Sequence, residues 1–340
     1  MTTATASPAA PGGTALLAGR TVARIGFGAM QLAELPGRPV PDRGVALSVL
    51  RRAVGQGVNH LDTAQFYGAG TANQLIRAAL SPYPGDLALV SKVGAEHTAD
   101  GLVPAQRPEQ LRAGVEANLG TLGVEQLAAV NLRRLDAPPG IRAEGDQLVD
   151  LDSQLAELVT LRDEGKIGGI GLSNVSAEQV RQARPAGIAC VQNAYSVLDR
   201  PAEPVLDVCR EHGIAWVPFF PLGSAFPSWP KVTEHPAVVA AATALGAAPA
   251  QVGLAWQLAH YAGTLLIPGT ASAQHLDENI AAGGLRLDAA TLATLDGLAA
   301  SAGSPRPASA KRSCPSTASS RNFSWPSVCG GAVSTSSAWD

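Results

Sequence analysis

The sequence predicts a single α/β domain of the (β/α)8 TIM-barrel type. Three observations carry that prediction. Eight short β-rich runs alternate with amphipathic stretches between about residues 20 and 300. No G-x-G-x-x-G follows the first run: "GFGAMQ" has glycines only at 26 and 28, so the fingerprint of an open dinucleotide-binding sheet is missing. The polar residues suited to chemistry fall at the C-terminal ends of several different runs, which a barrel gathers at one mouth and an open sheet spreads along an edge. The doubly wound open sheet is the competing arrangement, because alternation alone suits both.

In order, the runs are "RIGFGAMQL" (24–32), "VNHLDTA" (58–64), "LALVSKVG" (87–94), "AAVNLRR" (128–134), "IGGIGLSN" (167–174), "GIACVQNAY" (187–195), "GIAWVPFFPLG" (213–223) and "TLLIPGT" (264–270). Their near-continuous apolar character fits strands covered on both faces. Helical patterns lie between them. In "RGVALSVLRRAVGQG" (43–57), Val45, Leu47, Val49, Leu50 and Val54 form an apolar face ahead of a glycine stop. A chain of 340 residues accommodates such a barrel, which takes about 250.

The ends differ from the middle. Residues 1–13 are small, Pro- and Gly-rich and aperiodic, and are expected to be disordered ahead of a barrel spanning 14–303. The tail, 304–340, is rich in Ser and Pro and carries four Lys/Arg against one Asp; disorder is expected there too.

Charge and composition exclude several function classes. With 25 Lys+Arg against 28 Asp+Glu, the net charge is −3, and no basic stripe is available for nucleic acid. No apolar run approaches the ~20 residues that span a bilayer. The opening "MTTATASPAAPGGTA" lacks a basic segment followed by an apolar one, so a cytoplasmic protein is expected. Of the four cysteines, Cys190 and Cys209 fall in apolar segments and Cys314 and Cys329 in the tail. No pair has metal-ligand spacing, so reduced thiols and no metal are expected. Oligomeric state is not legible.

Chemistry concentrates at the run ends. "HLDTAQFYG" places Asp62 at the end of the second run and Tyr67 five residues on, and "VSKVG" ends the third with Lys92. An Asp–Lys pair in a barrel mouth keeps the lysine charged, which favours ionisation of a neighbouring phenol and fits it to pass a proton to a carbonyl oxygen. The fourth run, "AVNLRRLD", ends in Arg133 and Arg134. Taken alone, these read as guanidiniums reaching water over apolar stems.

Together these segments resemble the aldo-keto reductase family over about residues 20–300. The resemblance implies a (β/α)8 barrel that binds an extended nicotinamide cofactor, usually NADPH, at its mouth and reduces a small carbonyl compound. By that resemblance, Asp62, Tyr67 and Lys92 are catalytic. Ser173 and Asn174 of "GIGLSN" hold the nicotinamide carboxamide with Gln192 of "VQNAYS". Phe219 of "PFFPLG" stacks on the nicotinamide ring, and Leu222, Gly28 and Met30 line the same cofactor. "IPGTASAQHLDEN" assigns Gly269, Thr270, His275, Glu278 and Asn279 to the adenosine end.

Three departures stand out. Arg133 takes the position where many members carry a catalytic histidine, which places Arg133 in the mouth and Arg134 away from it. A branch that includes pyridoxal reductases is similar in this. At the adenosine end, Gly269 and His275 replace the Lys and Arg that commonly grip the 2′-phosphate, so NADH stands beside NADPH as a candidate donor. The tail resembles no family segment. The rival reading is a non-enzymatic cofactor-binding regulator like the potassium-channel β-subunits, against which the intact Asp62, Tyr67 and Lys92 speak.

Overall fold

A computed structural model describes residues 9–34, 40–99, 101–223 and 229–298. The tail at 304–340, with Cys314 and Cys329, lies outside the described residues, as do residues 1–8. The chain joins the body of the protein ahead of residue 14. Pro11 is buried and its carbonyl accepts from Ile25 N at 3.1 Å, while Gly13 O accepts from Arg24 N at 2.9 Å.

Strands β1 (Thr14–Leu17) and β2 (Arg20–Ala23) then form an antiparallel hairpin. Its two-residue turn, Ala18 and Gly19, has φ of 49° and 77°, the left-handed pair that matches strand twist in tight hairpins. Seven parallel strands follow: β3 (Phe27–Gly28), β4 (His60–Asp62), β5 (Ala88–Val93), β8 (Ala129–Arg133), β9 (Ile170–Ser173), β10 (Ile188–Gln192) and β11 (Ala215–Trp216). They pair in the order β3-β4-β5-β8-β9-β10-β11. The second hairpin, β6 (Ala95–Thr98) and β7 (Gly101–Pro104), leaves the barrel after β5.

The eighth run closes the barrel with single bridges. Thr264 pairs with Trp216 and Leu266 with Ile25, both parallel. Leu265 N donates to Trp216 O and Gly26 N to Leu266 O, each at 2.8 Å. The expected strands are therefore in place but shorter, because their ends bend into the loops of the mouth. Residues Ala29–Leu32 of the first run, for example, form a 3-10 turn. Neither hairpin was expected from the sequence.

Helices alternate with the strands: α1 (Arg43–Gly55), α2 (Thr71–Leu80), α3 (Pro108–Leu122), α4 (Leu151–Asp163), α5 (Ala177–Ala183), α6 (Glu203–His212), α7 (Pro236–Leu245), α8 (Pro249–His260), α9 (Ala273–Ala281) and α10 (Ala289–Asp296). Side-chain caps start several of them. Asp42 accepts from Val45 N at 3.1 Å and Asp150 from Ser153 N at 2.8 Å. In α1 the buried face is Ala46, Val49, Leu50 and Ala53; Val45, expected on that face, is exposed because at about 100° per residue it lies to the side of this i, i+3, i+4, i+7 stripe. Leu111 and Leu122 of α3 are fully buried against the sheet, each contributing about 1.5–3 kcal/mol of burial.

Along each strand, alternate residues point into the barrel. The lower interior is small and apolar: Ala88, Val90, Ala129, Cys190, Ala215 and Val217 pack with Leu17 and Val22 of the β1–β2 hairpin, which closes the N-terminal end. His60, in register with Ala88, and Asn131, which accepts from Cys190 Sγ at 3.4 Å, are the polar side chains at this level; the interior becomes strongly polar toward the opposite end.

Candidate active site

The polar upper interior is built from strand ends in register. Asp62 lies opposite Val90, Lys92 opposite Asn131, and Arg133 and Gln192 both opposite Ser173. Lys92 is buried, and its Nζ donates to Asp62 Oδ1 and, at 3.1 Å, to the Thr63 carbonyl. The same ammonium lies 5.0 Å from the centroid of the Tyr67 ring. Burial alone would lower the lysine's pKa, but the charge of Asp62 and the nearby Tyr67 outweigh it and raise it. The ammonium therefore stays protonated.

The loop that carries Tyr67 is anchored from behind. Thr63 Oγ donates to Asn73 Oδ1 at 2.8 Å, and Asn73 Nδ2 donates to Gln65 Oε1 and Asn118 Oδ1, both at 2.9 Å. Ser91 Oγ closes this network on Asn118 Oδ1 at 2.6 Å. A buried and mutually satisfied polar set of this kind fixes one loop conformation.

Asp62 has a second partner that the sequence did not reveal. Gln192 Nε2 donates to Asp62 Oδ2 at 2.7 Å, so the carboxylate bridges Lys92 and the glutamine. Gln192 Oε1 and Ser173 Oγ are buried without a hydrogen-bond partner among the described residues. Asn174, at φ 58°, turns its amide back to the Arg134 and Ala137 carbonyls at 3.1 and 2.8 Å.

Below Asp62 stands His60, also missed at the sequence level although its i, i+2 spacing from Asp62 puts both on one face of β4. Its ring fills the barrel interior against Gly26, where an added Cβ would lie 2.2 Å from Nε2. Burial lowers the His60 pKa to about 4, the Ala23 backbone offsetting this only in part, so the ring is neutral in neutral solution.

Arg133 and Arg134 part company as expected, but Arg134 does not reach water. Arg133 turns into the mouth: its guanidinium carbon is 5.7 Å from the Phe219 ring centroid, and Nη2 donates to Pro139 O at 3.0 Å. Burial lowers its pKa, and the neighbouring Tyr67 opposes that. Arg134 is buried between β8 and α4, donating to Val149 O at 2.9 Å, to Gln154 and, at 3.0 Å, to Asp136.

The remaining predicted cofactor residues form a band along the seam between β3 and the eighth run. Gly28 and Gly269 meet backbone to backbone: a Cβ on Gly28 would sit 2.5 Å from Ile267 O, and one on Gly269 would sit 2.3 Å from Gly28 O. No lysine could occupy position 269 on this backbone. Met30 and Leu222 are half-buried, and Leu222 packs against the core. Thr270 is buried and its Oγ accepts from Ser272 N at 3.0 Å, just ahead of α9, which Ser272 caps. His275 is exposed on the first turn of α9, Glu278 is half-buried and accepts from Gln274, and Asn279 is buried.

A closed parallel barrel with a buried lysine–aspartate pair beside a tyrosine at its polar end defines a class of barrel oxidoreductase. Residues 24–300 match the aldo/keto reductase family. The chain is 44% identical over 289 residues to pyridoxine 4-dehydrogenase of Escherichia coli, an alignment covering 84% of this chain and 98% of that enzyme. An uncharacterized oxidoreductase of Schizosaccharomyces pombe is 31% identical, covering 85% of this chain and 90% of the relative. Among solved structures, an aldo-keto reductase from Klebsiella pneumoniae in complex with NADPH superposes with a TM-score of 0.68 at 26% identity, covering 82% of this chain and 91% of that one. The chain belongs to the aldo/keto reductase family and is an NAD(P)-dependent oxidoreductase. Among the described residues, no single helix is long and apolar enough to cross a membrane.

Proposed function

We propose that the protein is an NADPH-dependent carbonyl reductase in which Tyr67 is the general acid, with a small aldehyde or ketone as substrate and NADH as a secondary donor. The observation that carries this reading is the buried Lys92, placed between the carboxylate of Asp62 and the face of Tyr67. The pyridoxine 4-dehydrogenase relative supports the pyridoxal–pyridoxine pair as substrate and product, and the NADPH-bound Klebsiella reductase supports the cofactor. A cytoplasmic setting, in which the free, buried Cys190 and Cys209 stay reduced, belongs to the same reading.

The residues present fit a nicotinamide. Ser173 Oγ and Gln192 Oε1, buried without partners among the described residues, offer a polar edge for its carboxamide; Asn174, whose Nδ2 is held by the Arg134 and Ala137 carbonyls, would add its Oδ1, and Phe219 would offer a ring face. Thr270, His275, Glu278 and Asn279 would hold the adenosine end, with Gly28, Met30, Leu222 and Gly269 along the way. When bound, the reduced nicotinamide supplies the hydride for the carbonyl carbon.

Tyr67 gives its proton to the carbonyl oxygen as the C=O π bond breaks, so one C–H and one O–H bond form. The positive charge of Lys92 stabilises the negative charge left on the phenolic oxygen, and Asp62 keeps that lysine charged and in place. Arg133 donates to the oxygen while charge builds on it. Loss of NADPH absorbance with pyridoxal and with 4-nitrobenzaldehyde tests the reading. Turnover by the wild type, lost in Tyr67→Phe with NADPH binding unchanged, is expected; turnover surviving in Tyr67→Phe overturns it.

A further inference from the structure

We propose that Arg133 selects the substrate: its guanidinium fork takes aldehydes that carry an anionic oxygen on the carbon next to the carbonyl-bearing one, gripping both oxygens at once. This rests on the reading of Tyr67 as proton donor, because the carbonyl oxygen must lie where Tyr67 and Arg133 meet.

The first argument is charge. Lys92 has its carboxylate in Asp62, and Arg134 has Asp136, yet no carboxylate pairs with Arg133 among the described residues. Asp62, Lys92 and Arg133 together leave the mouth with one surplus positive charge. A cation taken partly out of water and left unpaired is costly unless a counter-charge arrives. Its position against the Phe219 ring softens that cost without cancelling it.

The second argument is geometry. Among the described residues, the one side-chain hydrogen bond given by Arg133 uses Nη2 on the Pro139 carbonyl, which leaves the rest of the planar donor set for a ligand. Guanidinium binds best to two oxygens side by side. An aromatic aldehyde with an ortho oxido group presents such a pair in one plane, the carbonyl oxygen and the anionic oxygen. A para anion or a lone carbonyl does not.

The third argument is reactivity. An ortho oxido group feeds electron density into the carbonyl and slows hydride attack. Pairing that oxygen with Arg133 withdraws the density again, so the residue that binds this substrate class also restores its electrophilicity.

The test compares 3-hydroxypyridine-4-carbaldehyde with its 3-methoxy ether in the full chain with NADPH, in wild type, Arg133→Gln and Arg133→Lys. Wild type is expected to favour the hydroxy aldehyde in kcat/KM by roughly tenfold or more, the range of one charge-assisted hydrogen bond. Both aldehydes slow in Arg133→Gln through loss of the donor to the carbonyl oxygen, but their ratio should fall to about one, with Arg133→Lys between. Calorimetric binding of the same pair to Tyr67→Phe, with and without Arg133→Gln, gives the same ratio without turnover. A ratio unchanged by Arg133→Gln in rate and in binding overturns the proposal and leaves the carbonyl-reductase reading standing. Full activity in Tyr67→Phe overturns that reading instead.

Discussion

Behind β8, in the layer shared with α4, the guanidinium of Arg134 is surrounded by acceptors: the Val149 carbonyl, the Gln154 side-chain oxygen and the carboxylate of Asp136, itself held by Gln179 Nε2 at 2.7 Å. One residue earlier, on the barrel side, Arg133 has among the described residues a single carbonyl acceptor and an aromatic face. The strand's alternation sends the two side chains to opposite faces, and the surroundings then assign opposite tasks. A guanidinium whose acceptors are supplied by its own protein holds elements together. One whose acceptors are not supplied waits for them from outside. Arg134 is not fully satisfied, since its Nε and Asp136 Oδ1 are buried without partners among the described residues, but residue type and sequence neighbourhood are shared, so the difference lies in where the acceptors come from.

The sharpest way to break this contrast is on the mouth side. Tyr67→Phe should lower kcat by roughly 10³-fold or more, toward the upper end of what a positioned proton donor contributes, with the melting temperature nearly unchanged. A proportional loss of melting temperature would show that the mouth is held together by its chemistry residues. Next in size, Arg133→Ala should lower kcat by roughly 10²-fold, the scale of one oxyanion donor, again at nearly constant stability. Steady-state rates with 4-nitrobenzaldehyde and a thermal melt read both quantities.

Arg134→Ala should invert the pattern. An arginine reaching water, as the segment alone suggests, would make this change mild, but the buried partners it would strand argue for a loss of about 1–3 kcal/mol in stability with kcat per folded molecule nearly unchanged. Denaturant titration and active-site counting separate the two. If Arg134→Ala costs rate and spares stability, the division between the two faces of β8 fails.

The smallest expected effect lies across the barrel, in another cluster whose charged partners come from the protein itself. Glu203 accepts from Tyr195, from His260 Nε2 at 3.0 Å and from Arg210 at 3.1 Å. Burial alone would raise its pKa, but His260, Tyr195 and Arg210 hold it down at about 2. A carboxylate depressed in the folded state adds stability that is present above its unfolded pKa, near 4.5, and is lost as pH falls toward 2. The fall in melting temperature between about pH 5 and pH 2 should therefore be shallower in Glu203→Gln than in wild type; equal slopes would show that the cluster carries no such linkage.

Much of the site was legible because strand periodicity and chain order suffice to place strand-end residues. Asp62, Lys92 and Ser173 needed only the barrel to be brought together, and the alternation in "NLRR" separated Arg133 from Arg134. The partners of Arg134 were not legible, since Gln154 meets it only through the packing of α4 on β8. The bond between Gln192 and Asp62 joins strands on different sides of the barrel and depends on its diameter. Both hairpins escaped because their strands are four residues long, too short for alternation to stand out beside the eight longer runs. The eighth strand was read as longer than it is because apolar runs do not reveal where ladder hydrogen bonds stop.

The β1–β2 hairpin gives the molecule a front and a back. Chain entering at Pro11 docks beside the start of β3 and is folded at once into the barrel's closed end. A tether joined ahead of residue 9 therefore pulls on the end remote from Tyr67. Immobilised on a bead or fused to a second enzyme by its N-terminus, the protein would face outward with the mouth that carries Tyr67 and Lys92, and such attachments are the natural choice when the barrel is put to use.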